Sequence, residues 1–247
     1  MEAEEYALMA RVEDTHWWYQ GMARLTHALL LRFSQQSGRL LDAGCGTGGA
    51  LANVLAEHPR RFGCDLSALA LHACRARGLE RIQRASLSEL PHPDAVFDLV
   101  TCFDVLYERG VPDDRAAIRE LSRVLRPGGI LLLRVPAHDW LRGNHDRTTH
   151  TARRYAVADL RRLFAAADLE MLHLTHANAG LFPFVAAKRW LEHLNPLAPA
   201  ASDLTWEAGP LAALLRGLLT VEARVAAGPG LPFGLSLVAV GRKGSPA

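Results

Sequence analysis

The run Arg39-Leu40-Leu41-Asp42-Ala43-Gly44-Cys45-Gly46-Thr47-Gly48-Gly49 constrains what this chain can fold into more than any other stretch. An apolar segment stops at an acid, breaks into glycines and passes at once into residues 50–57, which are compatible with a helix. That order predicts a buried strand, a tight turn and a helix start. Glycine gives the turn backbone angles that a Cβ forbids and lets a ligand come close to the main chain. Such a loop, at the carboxyl end of a parallel strand, is where open α/β sheets bind nucleotide-like ligands. The glycine spacing alone also fits dinucleotide enzymes and chance turns, so the rest of the chain has to discriminate.

The next apolar stretch, residues 61–67, predicts a second strand ending at Asp65. Asp65 stands about twenty residues beyond the first glycine, where an acid of a βαβ unit takes a ribose diol. Its other reading is a helix N-cap, a task that Ser67 can perform instead. Strands are further predicted at 82–85, 96–103, 130–135, 169–176 and 235–240, with helices at 68–77, 115–125 and 157–167. Arg126-Pro127-Gly128-Gly129 stops one of those helices and turns the chain into the next strand. The alternation predicts an α/β, doubly wound, mostly parallel seven-stranded sheet whose last strand is antiparallel. Residues 1–36 form an expected helical cap, and 37–177 with 231–243 the Rossmann-like core. Residues 178–230, which hold a Pro/Ala-rich link at 195–201 and an apolar helix at 211–227, are an expected insertion serving as substrate lid or interface.

Composition excludes several classes. The 28 Lys and Arg residues nearly balance the 26 Asp and Glu, and no cationic block marks a nucleic-acid surface. The acidic opening Met1-Glu2-Ala3-Glu4-Glu5 lacks the apolar core of a secretory signal, and no apolar run is long enough to span a bilayer. Cys45, Cys64, Cys74 and Cys102 show no zinc-ligand spacing, so free thiols, no metal and a cytoplasmic setting are expected. The cluster His16-Trp17-Trp18-Tyr19 either staples a helix to the domain or closes over a ligand near the glycine loop.

Taken together, Leu41-Asp42-Ala43-Gly44-Cys45-Gly46-Thr47-Gly48 resembles the first motif of class I S-adenosylmethionine-dependent methyltransferases. Gly63-Cys64-Asp65-Leu66-Ser67 is similar to their ribose-binding strand end. Leu90-Pro91 before Phe97-Asp98-Leu99-Val100, and Leu125-Arg126-Pro127-Gly128-Gly129, resemble their approaches to strands four and five. His16-Trp17-Trp18-Tyr19 and Arg153-Arg154-Tyr155 resemble a bacterial subgroup acting on small molecules. The resemblance implies S-adenosyl-L-methionine as cofactor and S-adenosyl-L-homocysteine as product. It implies that the backbone at Gly44 and Gly46 receives the methionine portion, with Asp42 near its amino group. Asp65 would take the ribose hydroxyls and Leu66 would stack on the adenine. Ser86 and Leu87 would meet the adenine edge; Cys102, Phe103 and Trp18 would lie by the methionine chain and methyl. Ser86 stands where many relatives carry an acid, so the adenine contact loses its charge assistance.

Methyl transfer needs alignment more than covalent help, and a hydroxyl acceptor also profits from a base. His138, His145 and His150 follow the predicted fifth strand; His145 ranks first, with His150 and Tyr155 as the other catalytic candidates. His150 lies one residue further from Arg153-Arg154-Tyr155 than the subgroup's pattern has it. Arg153 and Arg154 are candidates for holding an anionic substrate group, or are solvated charges. The expected function is methylation of a small-molecule acceptor, with oxygen favoured, by a monomer or homodimer capable of peripheral lipid contact. The alternatives are a non-catalytic, cofactor-binding scaffold and an NAD(P)-dependent oxidoreductase.

Overall fold

The computed structural model describes residues 3–34, 38–194, 205–206 and 208–244; the side chains of His145, His193 and Leu194, and the link at 195–201, lie outside that description. Helices α1 (Ala3–Val12) and α2 (Trp17–Phe33) precede β1 (Arg39–Ala43). The short α3 (Gly49–Ala52), β2 (Arg60–Asp65), α4 (Ala68–Ala76), β3 (Ile82–Arg84) and β4 (Phe97–Phe103) follow. Then come α5 (Asp114–Val124), β5 (Leu125–Pro136), α6 (His145–Thr148), α7 (Val157–Ala165) and β6 (Leu169–Ala177). The chain continues through α8 (Phe182–Leu194) and α9 (Ala212–Ala227) to β7 (Ser236–Lys243).

The strands make one sheet in the order β3-β2-β1-β4-β5-β7-β6. Pairs from β3 through β5 are parallel, and β7 runs antiparallel to both β5 and β6. The expected fold class is borne out. Strand order reverses between β1 and β4, which opens a crevice at their carboxyl ends.

Strand side chains alternate between faces, so adjacent apolar residues feed two different cores. Leu41, Val100 and Leu131 pack with Ile118 and Leu121 of α5 and Phe164 of α7. Their neighbours Leu40, Leu99 and Leu132 pack on the other face with Leu25 and Leu29 of α2 and Ala226 of α9. Parallel strands covered on both faces are buried throughout, which is why they read as apolar runs.

Two expectations change. Helix is expected through residue 57, but α3 stops at Ala52, and Asn53 seals its end by donating to the Gly49 carbonyl at 2.9 Å. The turn expected at 126–129 lies within β5, which pairs with β4 from Leu125 onward with a register shift. Helix α2 of the expected cap packs on α9 of the expected insertion. A Cβ on Gly21 of α2 would stand 2.4 Å from Leu219 of α9, so glycine there permits the close approach. Arg32 donates to the carbonyls of Ala227 and Gly228, and Arg216 donates to Gln20 at 3.1 Å. Trp17 and His16 reach the Trp206 carbonyl at 3.2 and 3.0 Å, so Trp17 acts as the staple. No helix among the described residues is long and apolar enough to cross a membrane.

Candidate functional site

The glycine run becomes a turn in which Gly44, Gly46 and Gly48 have φ of 80°, 53° and 86°. A Cβ at Gly44 would also meet Val105 at 2.4 Å. The amides of Gly44 and Cys45 both donate to the Cys64 carbonyl at 2.8 and 2.9 Å, tying the loop to the end of β2. Asp65 completes the tie. Its two carboxylate oxygens accept from the Gly46 amide at 2.9 Å and the Ser67 amide at 2.8 Å. Burial pushes the Asp65 carboxyl up, opposed by those two bonds. Ser67 caps α4, accepting from the Ala70 amide at 3.4 Å, which leaves Asp65 to the loop.

Asp42, at the end of β1, is 2% exposed and accepts from the Thr101 hydroxyl at 2.7 Å. Burial pushes its carboxyl up to about 7. Leu66, next to Asp65, is 49% exposed, an apolar side chain left standing at the mouth of the loop. Ser86 is half-buried, and its hydroxyl accepts from the Ser88 amide at 3.2 Å. Leu87 turns into the core, so its backbone is the part that faces the loop region. Cys102 is fully buried on the α5 face, and burial holds its thiol well above the ordinary range. Phe103 points to the opposite face.

Arg134 of β5 lies between Phe103 and Trp18, its guanidinium 5.0 and 5.3 Å from their ring centres. It is 8% exposed and ion-paired to Asp104 at 2.6 Å. Trp18 thus reaches the end of β4 through Arg134. Sequence reasoning assigned Arg134 no role; the available signal was a lone charge inside an apolar strand.

Closure of the loop comes from α1 rather than from the tryptophans. Met9 lies 3.3 Å from where a Cβ on Gly46 would be. Tyr6 lies beside Ser67, in the field of Asp65 and Glu108; burial raises its pKa above the ordinary range. Glu13, just beyond α1, accepts from the Thr47 hydroxyl and from Arg77, both at 2.6 Å.

The catalytic candidates separate. Tyr155 is 3% exposed and donates to Asp114 at 3.1 Å, with burial raising its pKa, so its hydroxyl braces α5. His150 has φ of 51°, and its carbonyl accepts from the Arg109 amide at 3.0 Å. His145 belongs to α6, between Asn144 and Asp146. His138 stacks on His176 at 5.6 Å, its Nε2 is buried without a partner, and burial lowers its pKa, leaving it neutral at pH 7. Arg153 and Arg154 are committed to Asp114 and Asp146, at 3.1 and 3.0 Å. All four cysteines are free and buried, and no metal-ligating cluster occurs among the described residues.

A turn of positive-φ glycines, a buried acid closing the second strand and an open apolar residue beside it fit an adenosyl cofactor. Residues 41–133 match the family described as "Methyltransferase domain". The chain carries a class I, S-adenosylmethionine-dependent methyltransferase domain. Its sequence is similar to the fatty-acid O-methyltransferase of Mycolicibacterium smegmatis, 32% identical over 60% of this chain and 50% of that one. It is also similar to the ubiquinone biosynthesis O-methyltransferase of Xanthomonas oryzae pv. oryzae, 33% identical over 53% of this chain and 59% of that one. The chain therefore spans about half the length of these curated relatives. In fold it is similar to a chain of the Haloferax volcanii complex between the Trm112 methyltransferase activator and a methyltransferase. That likeness has a TM-score of 0.63 at 23% identity and covers 99% of this chain and 95% of that one.

Proposed function

We propose that the protein transfers a methyl group from S-adenosylmethionine to an oxygen of a small-molecule acceptor. The observation that carries this reading is Asp65, a buried carboxylate anchored by the Gly46 and Ser67 amides beside exposed Leu66. Relatives named as O-methyltransferases, the fatty-acid and ubiquinone biosynthesis enzymes among them, support oxygen as the acceptor atom.

When bound, S-adenosylmethionine supplies an electrophilic methyl on a sulfonium centre. The chain's own residues then have to hold, align and exclude water. The Gly44 and Gly46 backbone receives the methionine portion, and Asp65 the ribose diol. Leu66, Ser86 and Leu87 border the adenine. Asp42 faces the amino group, and a cation there offsets the cost of ionising its buried carboxyl. Cys102 contributes its backbone only, while Phe103, Trp18 and Arg134 wall the methionine end. We assign the acceptor's proton to His145 on α6, with His150 second; the engagement of Tyr155 with Asp114 makes it a brace.

Incubating the protein with methyl-labelled S-adenosylmethionine and a panel of fatty acids, hydroxybenzoates and aliphatic alcohols tests the reading. Label should pass to at least one oxygen acceptor, and Asp65→Ala should reduce transfer at least tenfold. Tight cofactor binding with no transfer to any of them would favour a scaffold instead.

A further inference from the structure

The loops following β4 and β5 are stitched together. The Ala152 amide donates to the Tyr107 carbonyl at 2.8 Å, the Arg109 amide donates to the His150 carbonyl at 3.0 Å, and Glu108 bridges to Thr151. Beside this seam lies an open cavity of about 340 Å³, lined also by Glu192 of α8. Its volume is in the range of small-molecule sites. On the 107–110 segment, Glu108 lies in the field of Asp65, where burial and then that charge push its carboxyl up, while Arg109 lines the cavity.

The charges lining the cavity do not cancel. Asp146 is consumed by Arg154, at 3.0 and 3.1 Å, and by the Gly143 amide at 2.7 Å. Glu192 is consumed by Arg189 at 3.0 Å and by the Asn144 amide at 2.9 Å. Arg142 is turned to Asp139 at 2.7 Å and to the Thr151 and Ala152 carbonyls. Arg109 and Arg147 remain, both exposed, with no ion pair or side-chain hydrogen bond among the described residues. Two uncommitted guanidinium groups, Arg109 on the loop after β4 and Arg147 on α6, offer fork-shaped donors to a planar or tetrahedral anion.

We propose that this cavity binds an anionic group of the methyl acceptor, a carboxylate or a phosphate, with Arg109 and Arg147 as its anchors. The proposal rests on the methyl-transfer reading for the word acceptor and on the cavity alone for the anion. It replaces Arg153 and Arg154 as anion holders, because both of those are spent within the fold. It also restricts the acceptor to molecules carrying a negative charge.

Isothermal titration of the full chain, alone and saturated with S-adenosylhomocysteine, with inorganic phosphate and separately with octanoate tests the proposal. At least one probe should bind, and which one does identifies the source of the anion. The double variant Arg109→Gln/Arg147→Gln should bind that probe at least tenfold more weakly. Arg161→Gln, at an exposed position of α7, should leave it unchanged, and all three proteins should bind S-adenosylhomocysteine equally. Absence of binding by both probes, or undiminished affinity in the double variant, would overturn the proposal. Absence of affinity for S-adenosylhomocysteine would instead count against the methyl-transfer reading, and the titrations without it would still report on the anion site.

Discussion

Asp42 lies enclosed at the end of β1, with the Thr101 hydroxyl donating to it at 2.7 Å, and burial pushes its carboxyl up to about 7. An unfolded chain loses that proton near pH 4, so between about pH 4 and 7 the native state holds the extra proton. Stability contributed at this position therefore falls as pH rises through that window. The penalty is absent below it and complete above it, of the order of 4 kcal/mol. Asp42→Asn removes the titrating group. Urea unfolding should show the variant gaining stability relative to the parent protein at pH 8 compared with pH 4; an equal difference at both values would contradict this. Residues of this kind were partly legible from sequence. Asp42 and Asp65 stood out because each ends an apolar strand, and the structure seats them beside the glycine loop. Arg134, Glu13, Arg109 and Arg147 carried no comparable signal, because their partners or their lack of them is decided by contacts distant in sequence.

At the scale of elements, α1 covers the glycine loop. Met9 sits on Gly46, Tyr6 on Ser67, and Glu13 joins Thr47 and Arg77. Segments that cover a ligand loop open more readily than the sheet beneath them and gate ligands. Tyr6→Ala/Met9→Ala should raise the association rate for S-adenosylhomocysteine severalfold in stopped-flow fluorescence, whereas an unchanged rate would mean that α1 does not limit access. The helices α4, α5, α7 and α9 and most strand ends were predicted to within a few residues, because apolar period and breaker residues define them, but β5 begins at Leu125, inside the segment read as a helix end and turn. The segment after the glycine loop was overread: residues 50–57 have helical composition, but Asn53 and the turn that follows end α3 after four residues. The aromatic cluster before β1 was ambiguous between staple and lid. Trp17 took the first role and Trp18 lies over Arg134, since only the folded chain brings Trp206 and β5 beside them.

For the whole molecule, strand and helix alternation gave the doubly wound sheet, and the antiparallel β7 was anticipated at its place. The packing of α2 on α9 was not legible, because it depends on Gly21 meeting Leu219 across nearly two hundred residues. These helices cover one face of the sheet, and the tied loops after β4 and β5 hold the cavity lined by Arg109 and Arg147. We propose the glycine loop, Asp42 and Asp65 as the methyl-donor site. Isothermal titration with S-adenosylhomocysteine addresses it most directly. One site per chain is predicted, with affinity lowered at least tenfold by Asp65→Ala and unaffected by Arg161→Gln. No measurable heat of binding, or equal affinity in the Asp65→Ala variant, would contradict it.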